Sequence, residues 1–227
     1  MRRSTVLAAA TAAALVLLTG CRGDDTSTAS GAFDPARAAA TAGGEPYAAT
    51  VTATPADSRA VALTARCNLG AVFTGRSEAT GGDGFRQENV VTADHQYTRG
   101  HDRSGKWLKI PRSTDFSVFG FDGYAKLLLA LGPSARKGME IRDGVPTYHL
   151  AGHLDVEQLA AAFPVAHREL STAGVRGIGM DQWIDARGRT RRAEQRVSFP
   201  EETTTTTYVF SDFGPVETFT EPGPLAD

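Results

Sequence analysis

The strongest constraint on the fold is the rhythm of short, β-branched runs separated by turn residues. Tyr47–Thr54, Arg59–Arg66, Gly70–Thr74, Gly84–Thr92, Gln96–Gly100 and Lys106–Ile110 each read as a strand. Gly81-Gly82-Asp83-Gly84 supplies a turn between two of them, and Pro111 closes the series. Later, Met139–Arg142 and Val145–Gly152 flank Asp143-Gly144, the pair that two-residue hairpins favour. Ile178–Ala186 and Arg189–Phe199 flank Arg187-Gly188 in the same way, and threonine-rich Thr203–Phe210 reads as a further strand. Ser211–Pro215 is expected to break that strand, with Val216–Thr220 a final edge strand. Such spacing predicts an antiparallel meander, not alternating β-α units.

Three stretches depart from this rhythm. Asp34-Pro35 offers a carboxylate N-cap and a proline at the first helical turn, predicting a short helix to Ala42. Asp155 caps a second, through Val156, Leu159 and Phe163, followed by a stretch to Gly177 read mainly as loop. Between residues 116 and 131, Phe116, Phe119, Phe121, Tyr124, Leu127, Leu128 and Leu131 crowd together. Phe121, Tyr124, Leu128 and Leu131 keep helical spacing, and Gly132-Pro133 stops the helix. This segment reads either as ordinary core or as a lid over a ligand. An apolar side chain gains about 1.5–3 kcal/mol on burial against protein or acyl chain alike, so spacing does not separate the two.

The first twenty residues belong to a different regime. Arg2 and Arg3 precede Val6–Leu18, which is almost wholly Ala, Val, Leu and Thr, and small residues lead into Cys21. The run is short for a membrane span and has the build of a secretory leader. Leu18-Thr19-Gly20-Cys21 resembles the lipobox of bacterial lipoproteins. That resemblance implies cleavage before Cys21, a diacylglyceryl group on its sulfur with room for an N-acyl chain, and residence outside the cytoplasmic membrane, tethered to it. Two acyl chains hold where one slips off. The expected organisation is a signal peptide over 1–20, a flexible tether over 21–33 and one folded domain over 34–227. Arg22-Gly23-Asp24 spells an adhesion tripeptide, a match too short to carry weight in a linker.

Loss of Arg2 and Arg3 makes the formal charge more negative than the −2 of the whole chain. That mild acidity leaves no electrostatic footprint for nucleic acid. With Cys21 lipidated, Cys67 has no partner within the chain, which predicts a buried small hydrophobe and, as the sharper alternative, a reactive thiol.

Gly105-Lys106-Trp107, an apolar helix, Gly138–His149, Leu154-Asp155-Val156, Trp183–Gly188 and Ser211–Val216 follow one another in an order that resembles the LolA-like lipoproteins of the LppX/LprG type. The resemblance covers about residues 34–220 and rests on turns and strand starts. It implies an α+β fold: a strongly curved antiparallel sheet, an unclosed half-barrel, with a few helices over its concave face. It further implies an apolar cavity between sheet and helices, and transport of acylated lipids or glycolipids across the envelope. Cavity or lid candidates are then Trp107, Phe116, Phe119, Phe121, Tyr124, Leu127, Leu128 and Leu131. The many strand alanines and threonines argue against a deep cavity. A monomer held to the membrane by its anchor, with a lipid ligand or an envelope protein as partner, is expected.

Other chemistry finds little support. His149 and His153 share a strand face, yet zinc takes three or four ligands and only Asp155 is near in sequence. Asp181 and Asp185 form a carboxylate pair of the kind glycosidases use, with solvation or pairing to Arg189–Arg192 as the plainer reading. Arg187, Arg189, Arg191 and Arg192 would meet either solvent or anionic headgroups. Trp183 reads as a core or rim aromatic. Nucleophile-elbow, phosphate-loop and dinucleotide motifs are absent from the sequence. The expectation is a non-enzymatic protein without a metal or a cofactor beyond its lipid.

Overall fold

The structure, a computed structural model, describes residues 33–42, 44–70, 72–100, 105–112 and 120–226. One antiparallel sheet of eleven strands dominates it. The strands are β1 (Tyr47–Pro55), β2 (Ala62–Leu69), β3 (Thr74–Thr80), β4 (Arg86–Val91), β5 (His95–Gly100), β6 (Leu108–Pro111), β7 (Arg136–Arg142), β8 (Val145–Asp155), β9 (Gly177–Ile184), β10 (Thr190–Ser198) and β11 (Thr203–Gly214). Their spatial order is β6-β5-β4-β3-β2-β1-β11-β10-β9-β8-β7. The chain therefore meanders outward from β1 to one edge, reappears at the opposite edge as β7, and meanders back until β11 pairs with β1. The two edges do not meet, and the fold is an α+β curved half-barrel.

This topology places the principal helix. The link from β6 to β7 has to travel from one edge of the sheet to the other. It carries α2 (Phe121–Ala130), which lies over one face. The remaining helices are α1 (Pro35–Thr41), α3 (Val156–Leu159) and α4 (Pro164–Thr172). Asp34 caps α1 as its sequence predicts, accepting from the amides of Ala36 at 2.9 Å and Arg37 at 3.3 Å. α3 is short, and α4 occupies part of the stretch expected to be loop, entered through Pro164 at its first turn.

Strand register sorts the side chains. Val51, Ala65, Ser77, Asn89 and Thr98 lie opposite one another across β1–β5, and Ala53, Tyr208, Ala193, Gln182 and Leu150 across the other half. These rows make the helix-covered face. The alternate rows, including Arg66, Arg76, Val90, Tyr97 and Lys109, make the outer face.

The hairpin signals describe real turns. Asp143 and Gly144 have φ of 50° and 74°, the positive pair a two-residue hairpin requires. Gly188 has φ 76°, and a Cβ there would lie 2.0 Å from the Ala38 carbonyl, so only glycine lets the β9–β10 turn seat against α1. Several boundaries differ from expectation. Gly70, at φ 137°, leaves extended geometry, and Val72 and Phe73, expected within a strand, belong to none, with β3 starting only at Thr74. β8 runs unbroken through Gly152. β11 continues through Ser211 to Gly214, because Asp212 adopts φ 48° beside an irregular register with β1 instead of ending the ladder. Residues 216–220 form no strand; they open a C-terminal tail that crosses the outer face.

Candidate functional site

The covered face was the expected place for a ligand, and its central part is filled. Phe121, Tyr124, Ala125 and Leu128 of α2 are buried, while Leu127 and Leu131 are half-buried. Phe121 packs on Tyr208 and Phe210 of β11 with ring centroids 4.8 and 5.2 Å away, and Tyr124 stacks on Phe163 at 4.3 Å. The buried Gln182 amide donates to the Phe121 carbonyl and to Thr190 Oγ1, both at 2.7 Å, tying the start of α2 to β9 and β10. At Gly152 a Cβ would stand 2.6 Å from Leu131 Cδ1, so the absent side chain is what lets α2 lie so close to β8. Phe116, Phe119 and Cys21 lie outside the described residues.

Beside α2 remains a pocket of about 80 Å³ bounded by Tyr47, Phe73, Phe121, Asp122, Thr190 and Phe210. Ligand sites for small organic molecules run to roughly 300–1,000 Å³, so this space suits a few waters and not an acyl chain. The Tyr47 phenol there is pushed above its ordinary range by burial, reinforced by the Asp122 charge and opposed by Arg189.

Toward β6 the same face changes character. Leu63, Ser77, Gln87, Asn89, Thr98 and Ile110 are half-buried, and Leu108 is exposed. Gln87 Nε2 donates to Asn89 Oδ1 at 3.0 Å and to Thr98 Oγ1 at 3.2 Å. This half presents aliphatic and amide or hydroxyl groups side by side.

Trp107 sits apart from the other cavity candidates, on the outer face. It is buried with Val90 and Tyr97 beneath Leu225 of the tail. Its amide donates to the Pro224 carbonyl at 2.9 Å, and its carbonyl accepts from Ala226 at 2.8 Å. Further along the tail, Glu221 accepts from the Tyr97 hydroxyl at 2.6 Å and from Lys109 Nζ at 3.1 Å. Glu217 pairs with Arg66, and its backbone exchanges hydrogen bonds with the Asn68 amide at 2.9 and 2.7 Å. Between tail and sheet lies an open groove of about 680 Å³, lined by Arg66, Arg76, Glu78, Glu88, Arg99 and Trp107 among others. The sequence holds no periodicity that would reveal this strap, because its contacts run through backbone and isolated side chains.

The titratable residues singled out in the sequence serve the outer face. His149 is stacked on Trp183 at 4.3 Å, with Nδ1 2.9 Å from Glu140 and Nε2 2.9 Å from Asp181. Arg196 reaches Asp181 at 2.9 Å, and Arg142 reaches Glu140 at 2.7 Å. Burial alone would raise the Glu140 carboxyl; hydrogen bonds from Trp183 Nε1 and Arg142, with the nearby His149, outweigh it and hold it below its ordinary 4.5. Asp185 stays away from Asp181, spending its carboxylate on the amides of Arg187 and Arg189 and on the Arg189 guanidinium. His153 is exposed, so the two histidines do not converge. Among the described residues no group of three His, Cys, Asp or Glu side chains is placed to hold a metal.

The arginine cluster splits. Arg189 and Arg191 lie over the Phe213 ring at 4.5 and 4.4 Å, Arg192 pairs with Glu194 at 2.8 Å, and Arg187 is exposed. Cys67 is fully buried on the covered face, where burial pushes its thiol up to about 12 against the opposing Arg66 charge. That environment disfavours the thiolate that reactivity needs.

An open antiparallel sheet with all four described helices serving one core defines the class: an α+β half-barrel. Among solved structures the chain is similar to LprF from Mycobacterium bovis, with a TM-score of 0.52 and 15% identity, the match covering 84% of this chain and 96% of that one. At that identity the likeness shows the fold. No protein-family model and no curated protein matches the sequence.

Proposed function

We propose that this chain is a lipid-anchored, non-enzymatic lipoprotein of the cell envelope that binds a lipid or another amphiphile and carries or presents it. The Leu-Thr-Gly-Cys21 ending supports the anchor, and the fold shared with LprF supports the class. The observation that carries the binding reading is the half of the covered face toward β6. There Leu63, Leu108 and Ile110 stand beside the hydrogen-bonded Gln87, Asn89 and Thr98, a surface matched to a molecule with an apolar body and a polar head. Phe121, packed on Tyr208 and Phe210 of β11, then acts as the wall on that side, with Tyr124 and Leu128 in the filled half beyond it. A second reading, an interaction module that meets a protein partner at the membrane, is favoured by the small volume left beside α2.

One preparation tests both. The full chain bearing Cys21→Ser, expressed in bacteria, is expected in the medium, free of the membrane, and native mass spectrometry is expected to find it with a co-purified amphiphile. A variant that still pellets with membranes in high salt sinks the anchor. A clean apo mass decides for the interaction module.

A further inference from the structure

The half-barrel has two ends, and one of them carries Phe33. Phe33, the first described residue, stacks on Tyr148 of β8 at 5.8 Å between centroids and 9° between planes. Tyr148 lies directly opposite Met139 of β7, and Ile141 is the next residue on the same face of that strand. β7 is an edge strand, so its outer backbone groups are unpaired within the sheet. Met139 is 49% exposed and Ile141 68%, the most exposed large hydrophobic side chain described. An edge strand bearing exposed apolar side chains is an aggregation liability unless something covers it.

The sequence ahead of Phe33 suggests what covers it. On its flexible-tether reading a twelve-residue link reaches roughly 20 Å, so a lipid on Cys21 would hold whichever surface surrounds Phe33 close to the bilayer. We propose that the β7–β8 hairpin is the membrane-facing surface of this protein, with Ile141 and Met139 seated in the lipid interface beside the point where the tether enters. The inference rests on the lipid-anchor reading and adds an orientation to it. Exposed Arg187, on the β9–β10 turn at the same end of the sheet, has no ion pair among the described residues and can meet lipid phosphates, whereas Lys137 Nζ is held by the Ser134 carbonyl at 2.8 Å. Asp143 at the hairpin tip offsets part of that charge, so apolar insertion and not net charge is the main contact. The orientation leaves the opposite end of the sheet, where exposed Val61 and Phe85 lie beside Gly81, facing away from the bilayer.

The full lipidated chain, reconstituted in phosphatidylcholine vesicles containing some phosphatidylglycerol and nitroxide-labelled lipid, tests this. A fluorophore is placed on Ile141→Cys or, in a separate chain, on Phe85→Cys; both sites are exposed, and buried Cys67 does not compete for the label. The label at 141 is expected to be quenched several-fold more than the label at 85. Flotation of the vesicles reads the anchor by itself. A chain that floats with equal quenching at both sites, with stronger quenching at 85, or with none, overturns the proposed face while the anchor stands. A chain that fails to float overturns both. Ile141→Asp, at a position too exposed to unfold the domain, is expected to lower several-fold the quenching of a fluorophore on Met139→Cys in the lipidated chain, with flotation and thermal midpoint unchanged; unaltered quenching overturns the insertion of this strand.

Discussion

Leu128 decides between lid and core. It has no exposed surface, faces β8 beside Gly152, and belongs with Phe121, Tyr124 and Leu154 to one continuous core. Such a site has no room for two more rings. Leu128→Trp is expected to destabilise the domain by about 1–3 kcal/mol through overpacking, read as a fall in denaturant midpoint. Leu127→Trp, at a half-buried position one residue along the helix, is expected to cost less. An unchanged midpoint for Leu128→Trp would mean that unfilled space lies under α2 after all. Gly152 belongs to the same argument: a strand glycine ordinarily weakens the ladder, yet here the missing Cβ is what brings helix and sheet together.

Strands β7, β8 and β9 are joined on the outer face by one charged and aromatic network. Glu140, His149, Asp181 and Trp183 come from three different strands, and Arg142 lies over the Trp183 ring at 4.6 Å. Because the Glu140 carboxyl is held below its ordinary 4.5 in the folded chain, its contribution to stability is present above that value and is lost as pH falls through the lowered folded value. Glu140→Gln is therefore expected to be less stable than wild type near neutral pH. The difference should shrink as the medium is acidified through that lowered value. Urea midpoints across that range check it, and a pH-independent difference would assign the loss to packing and not to charge. The side chain is over a third exposed, so solvent screening keeps the effect small, on the order of 1 kcal/mol or less.

For the molecule as a whole, the last dozen residues matter as much as any strand. The tail leaves β11 at the middle of the sheet and passes Asn68, Tyr97 and Lys109 to reach Trp107 near the β6 edge. Without it Val90, Tyr97 and Trp107 would be a bare aromatic patch on the outer face. Ending the chain after Gly214 is expected to cost about 3 kcal/mol or more, from the lost burial of Tyr97 and Trp107 and the orphaned side-chain carbonyl of Asn68, whose Nδ2 keeps its bond to Thr74. It should also make tryptophan fluorescence quenchable by a polar quencher. A truncated chain with the wild-type midpoint would show the strap to be dispensable for stability.

Local information settled much of this architecture. The alternation of β-branched residues, the Asp143-Gly144 and Arg187-Gly188 turns, the Asp34-Pro35 cap and the spacing of Phe121, Tyr124 and Leu128 are each readable within a few residues, because turn dihedrals, caps and helical period are short-range physics. The burial of Cys67 follows from a small hydrophobic residue on a strand face. What those signals lack is distance. Nothing within residues 106–111 says that Trp107 will be closed by Leu225, since that contact depends on where an irregular tail lands after eleven strands have paired. Strand pattern likewise cannot tell that β6 and β7 end on opposite edges, the fact that sends α2 across the sheet. The separation of Asp181 from Asp185, and the meeting of His149 with carboxylates from two other strands, are set by register and by a turn that consumes the Asp185 carboxylate. The volume left beside α2 was decided by tertiary packing alone, because whether a leucine meets a glycine-lined strand or an open space depends on side chains far away in the sequence.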